Sequence, residues 1–231
     1  MGGVVRLTTR GTTLIFLGAV IIGPTSWARS RREADSGSDV TLRVYNYAQV
    51  EPATVLLAEN EATRILAQAG VVASWVDCPT SHSEWDRYPL CQSAWQANDL
   101  AVRFLPETMA NFPTNTKDWL GFALDCAAPS CAASVIYDRV RSLAGGATAP
   151  TPILLGRVVA HEIGHLLLGA DSHSRTGIMS AGWSDRELSW EASHELVFTR
   201  DQARRMNDRL AERLQVEQAE PKVLGIVRTN W

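Results

Sequence analysis

Apolar and polar positions change period several times along the chain, and each change marks an element. From Val40 to Val50, "VTLRVYNYAQV" alternates apolar and polar residues as a half-buried strand does. The next segment, "PATVLLAENEATRILAQAG", places Val55, Leu56, Ala62, Ile65 and Leu66 near helical spacing and stops at Gly70. Strand gives way to helix. "VVASWVDC" and "DLAVRFLP" predict two more strands, separated by a loop from Pro79 to Asn98. "LGFALDC" and "CAASVIYDRV" predict a further pair across the short Cys126 to Cys131 connection. After Gly145 and Gly146, Thr151 offers a cap and Pro152 a first helical position for an apolar run from Ile153 to Leu168, closed by Gly169 as a left-handed stop. A last helix, "TRDQARRMNDRLAERL", has Thr199 as its cap, and nothing is predicted from Gln215 onward. An α+β domain follows, with one helix over a mixed sheet.

The amino terminus adds a compartment to that picture. Arg6 and Arg10 precede an apolar run from about Thr12 to Gly23, and Ser26 and Ala28 frame Trp27. This predicts a secretory signal peptide cut after Ala28. An anchor is the competing reading, but the run is shorter than the roughly 20 residues a spanning helix needs. The expected organisation is a signal peptide over 1–28, a loose polar terminus over 29–39, a domain over 40–214 and a tail over 215–231, in a secreted or periplasmic protein without membrane attachment after cleavage.

Cleavage removes two arginines and no acidic residue, leaving 203 residues with a net charge near −5. No basic surface for nucleic acid is indicated. A chain of that length forms one domain with a full core. All four cysteines, Cys78, Cys91, Cys126 and Cys131, lie in the exported part, and an even count in an oxidising compartment favours two disulfides over a structural zinc, since no C-x-x-C spacing occurs. Nearest-neighbour pairing, Cys78 with Cys91 and Cys126 with Cys131, is preferred among three connectivities.

The candidate chemistry sits on the helix ending at Gly169. "HEIGH", His161 to His165, puts two imidazoles on one helical face, where they can hold one zinc ion. Glu162 is rotated off that direction, which suits a general base acting on a zinc-activated water. Burying two histidines and a glutamate in an apolar helix is costly without a partner that satisfies them. His82 and His194 are most simply surface residues, and Trp183 and Trp190 are candidates to line a cleft.

The string H-E-I-G-H, a glycine stop, another ligand-type residue and then "GIM" resembles the metzincin clan of zinc endopeptidases, whose pattern is H-E-x-x-H-x-x-G-x-x-H/D with a methionine turn beneath the metal. "LGFALDC…CAASVIYDRV" is similar to the clan's substrate-binding edge strand and its antiparallel neighbour. The chain as a whole resembles a group of exported bacterial proteins. The resemblance implies a mixed sheet with an antiparallel edge strand, a helix packed on it, a zinc-binding helix, a turn at Met179 and a C-terminal helix. It also implies hydrolysis of a peptide or protein substrate by zinc and Glu162. The spacing departs from the clan's: Gly169 comes four residues past His165, Asp171 six and His173 eight. Strict spacing selects Asp171, whereas zinc's preference for imidazole and the delayed glycine select His173, so the expected ligands are His161, His165 and His173. A glutamate such as Glu187 is a poorer third ligand, because "SAGWSDRELSW" is a weak helix. The alternative to an enzyme is a non-catalytic exported binding domain that keeps zinc for structure, which leaves Glu162 without a purpose.

Overall fold

A computed structural model of the chain describes residues 38–110, 119–124, 131–190 and 195–219. Five strands form one sheet: β1 Asp39–Asn46, β2 Val72–Cys78, β3 Asp99–Leu105, β4 Gly121–Leu124 and β5 Ala132–Ile136, in the order β2-β1-β3-β5-β4. All pairs are parallel except β4 with β5, so the sheet is mixed with one antiparallel edge. Interior position explains composition: β5 is buried along its whole length and β3 at every residue but Arg103, as strands covered on both faces are. β2, at the other edge, keeps most of its residues only partly covered.

Two long helices, α1 (Pro52–Gln68) and α4 (Thr151–Leu168), pack on each other and on the sheet. α1 buries Val55, Ala58, Ala62, Ile65 and Leu66 and ends before Gly70, whose φ of 78° only glycine adopts at ease. Between these helices lie a short α2 (Pro89–Gln92) and α3 (Tyr137–Ala144), and α5 (Arg200–Ala219) closes the fold.

The reverse face of β1 carries Arg43, a buried cation that pairs with Asp99 at 2.6 Å, lies over the Trp95 ring and donates to the carbonyls of Cys91, Ser93 and Ala94. That clamp and the Cys78–Cys91 disulfide hold the 79–98 connection against the sheet. Cys131 is also disulfide-bonded and no described cysteine is free. Cys126 lies outside the described residues, as do the predicted signal peptide and nearly all of the predicted loose terminus. Among the described residues no helix is long and apolar enough to cross a membrane.

Three boundaries differ from the sequence reading. "CAASVIYDRV" is not one strand: the chain turns helical at Tyr137, where Tyr137, Val140 and Leu143 recur at helical spacing and Asp138 sits in the first turn. α4 begins with Thr151 already helical and Pro150 as its cap position, so no side chain caps it. Gly169 has φ 96° and ψ 168°, outside the left-handed helical well, in a region open essentially to glycine alone. α5 runs to Ala219, past the expected Leu214. Its start is a reciprocal capping box: Gln202 N donates to Thr199 Oγ1 and Thr199 N to Gln202 Oε1.

A candidate metal centre beside the edge strand

α4 carries its apolar face into the core and turns His161 and His165 out of its last turns toward the antiparallel edge. There a cleft of about 930 Å³ opens between β4 and the segment from Ser180 to Leu188. His161, Glu162 and His165 line it, with His173 at its rim and Leu143 and Val158 among its apolar residues.

The three histidines converge. His165 Nε2 stands 3.1 Å from His161 Nε2 and 3.1 Å from His173 Nε2. Their outer nitrogens fix which way the lone pairs point. His161 Nδ1 lies 2.7 Å from the Ile178 carbonyl, which can only accept, so the proton is on Nδ1 and the Nε2 lone pair faces inward. His165 Nδ1 is likewise 3.3 Å from the Gly169 carbonyl and 3.0 Å from Ser172 Oγ. Gly169's unusual backbone angles are those with which its carbonyl meets that ring.

Two bare lone pairs at 3.1 Å cannot hydrogen-bond to one another and need a cation between them. A second proton on the rings is disfavoured: burial pulls the His161 pKa down to about 4, against a smaller upward effect of the Ile178 bond, and burial also lowers that of His165. Three neutral imidazoles sharing one point suit a divalent ion such as zinc, whose tetrahedral N–Zn–N geometry spaces nitrogens about 3.3 Å apart. The residues present fit the metal. Hydrogen bonds from Nδ1 to carbonyls are also what orients histidine ligands in metal proteins.

Of the two candidates for the third position, His173 belongs to the cluster and Asp171 is an exposed loop residue outside it. His82 is exposed, and His194 lies outside the described residues. Met179 is fully buried beneath the helix, where a Cβ added to Gly164 would overlap its sulfur and approach Phe198 at 2.9 Å. The space that Gly164 leaves is therefore filled by Met179. The turn carrying it is braced from behind: Ile178 N donates to the Val197 carbonyl, which lies 2.5 Å from where a Gly177 Cβ would sit.

Glu162 points to the other side, toward β4. It is 5% exposed, and a Cβ at Gly121 would come 2.7 Å from its Oε1. Burial raises its carboxyl pKa to about 8. Trp183 lines the cleft and meets the His161 ring edge-on at 5.9 Å between centroids, whereas Trp190 is exposed and outside the cleft lining. Glu187 is spent on the Ser184 amide and hydroxyl, at 2.9 and 2.7 Å, and does not approach the histidines.

Sequence reasoning missed Ser172, Leu143 and Leu188. Ser172 gives no signal of its own, but Leu143 was readable from the helical spacing after Ile136.

No family model and no curated protein matches the sequence. Among solved structures, archaemetzincin from Methanopyrus kandleri is similar at 17% identity with a TM-score of 0.42, over 75% of this chain and 97% of that one.

Proposed function

We propose that the chain is an exported zinc endopeptidase whose catalytic domain spans residues 40–214, with His161, His165 and His173 as ligands and Glu162 as general base. One observation carries this: three neutral imidazoles share a point in an open cleft, with a carboxylate of no structural necessity next to them on the same helix. A structural zinc is shut off by four protein ligands, whereas a catalytic one keeps a position open.

An extended peptide lies along β4 and pairs its main chain with that strand, as segments added to a sheet edge do. The zinc ion, when bound, supplies Lewis-acid activation of a water and of the scissile carbonyl. Glu162 takes the proton from the attacking water and delivers it to the amine that leaves. Its burial suits both halves of that task, because the carboxyl pKa lies near neutral pH. Trp183 and the apolar side of the cleft exclude bulk water from the reacting groups.

The test pairs metal analysis with a peptide library. The wild type binds one zinc per chain and cleaves peptides internally. Glu162→Ala keeps the zinc while hydrolysis falls by about 10² to 10⁴, the range for losing a positioned acid or base. Zinc retained with no cleavage by the wild type would make the protein a binding domain, and no stoichiometric metal would remove the site altogether.

A further inference from the structure

α4 holds the cleft wall at two places one helical turn apart. His161 takes the carbonyl of Ile178 at one end. At the other, Arg157 donates from Nη1 to the Glu187 carbonyl at 2.9 Å and from Nη2 to the Ser189 carbonyl at 3.1 Å. Those two carbonyls flank Leu188, which is buried and lines the cleft.

Arg157 is completely buried. Glu61 of α1 backs it, with Oε1 3.5 Å from its Nε, and Arg64 grips the same carboxylate at 2.7 and 2.8 Å. The bare face of Gly156 allows this approach: a Cβ there would overlap the Ala58 carbonyl and come 2.8 Å from Glu61 Cβ. A buried ion pair is weak as a source of stability, since apolar residues of similar volume do as well or better. What a guanidinium offers instead is a rigid fork of donors. The wall needs one, because between Ser180 and Ser189 its regular structure amounts to a single turn, Leu188 N to Ser184 O.

We propose that Arg157, oriented by Glu61, is a positioning residue for the cleft wall: it holds Leu188 opposite Leu143 and Val158 and so makes the cleft select an apolar substrate side chain. The effect on selectivity rests on the peptidase reading; the effect on the wall does not.

Amide exchange and a peptide panel separate the two. In Arg157→Lys the charge beside Glu61 is kept but one ammonium cannot span both carbonyls. The amides of 184–189 should then exchange about tenfold faster or more while those of the sheet stay as in the wild type. For peptides with a bulky apolar residue beside the scissile bond, kcat/KM should fall about tenfold, mainly through KM, with kcat for small-residue peptides nearly unchanged. Leu188→Ala should lose the same preference without faster exchange of the wall. Unchanged exchange in Arg157→Lys, an equal fall of kcat on every peptide, or an unaltered preference in Leu188→Ala overturns the proposal. The last result does so even if Arg157→Lys fails to fold. If the wild type cleaves nothing, the peptidase reading fails and the exchange measurement alone judges the clamp.

Discussion

Between His165 and His173 the conformation of seven residues decides which side chain meets the helical pair. The pair itself was legible in the sequence, because i, i+4 positions on a helix share a face whatever surrounds them. The third partner was not fixed by any such local rule: it depends on the Gly169 backbone and on Ser172 reaching back to His165. His173→Ala should therefore lose zinc to a mild chelator within a dialysis in which Asp171→Ala keeps it, as read by metal content. A second residue makes a pH prediction. Burial, and less strongly the Asp77 charge, raise the Glu59 pKa from 4.5 to about 7. The folded chain thus holds a proton that the unfolded chain releases between those values, so this group's contribution to stability falls as pH rises from about 4.5 to 7 and is flat above. Relative to wild type, Glu59→Gln should gain more in Tm at pH 8 than at pH 5, and an equal gain at both would show that Glu59 does not titrate late.

At the scale of elements, strands and long helices follow the hydrophobic period closely, and the errors gather where one period hands over to another. "CAASVIYDRV" is continuous in β propensity, but β5 is flanked by β3 and β4 only as far as Ile136, and past that point the chain has no partner and coils into α3. Pairing is a property of neighbours, so the stop was not visible in the segment itself. Contact between α1 and α4 carries the next prediction. Gly156→Ala pushes a methyl into the Ala58 carbonyl and Glu61, and neither backbone can yield alone. Despite alanine's better helix propensity, a loss of about 1–3 kcal/mol is expected, the range for overpacking, measured by denaturant midpoint. A stabilised variant would mean that the two helices part freely.

The whole molecule is tied across its weakest connection. Residues 79–98 have only short helical turns of their own, and the Cys78–Cys91 bond closes 13 residues of them onto β2. Loop-entropy arguments put such a crosslink at about 3 kcal/mol. Cys78→Ala with Cys91→Ala should lower Tm accordingly while leaving zinc stoichiometry at one, since β2 is the sheet edge remote from the histidines. Loss of metal in that variant would mean that the site is coupled to the far edge. Cysteine count and spacing made this bond readable. Strand order was not: nothing along the chain records that β3 lies between β1 and β5, because that choice is made by packing between segments far apart in sequence.

The brace behind the methionine turn comes from Val197, immediately before α5. Chains are made from the amino end and domains form as they emerge. A growing chain that has reached Trp190 already contains the sheet, α4 and all three histidines, yet nothing holds Ile178, and through it His161, in place. The centre is therefore the last part of the domain to become competent, so an unfinished polypeptide that carries every ligand is still without the means to set them.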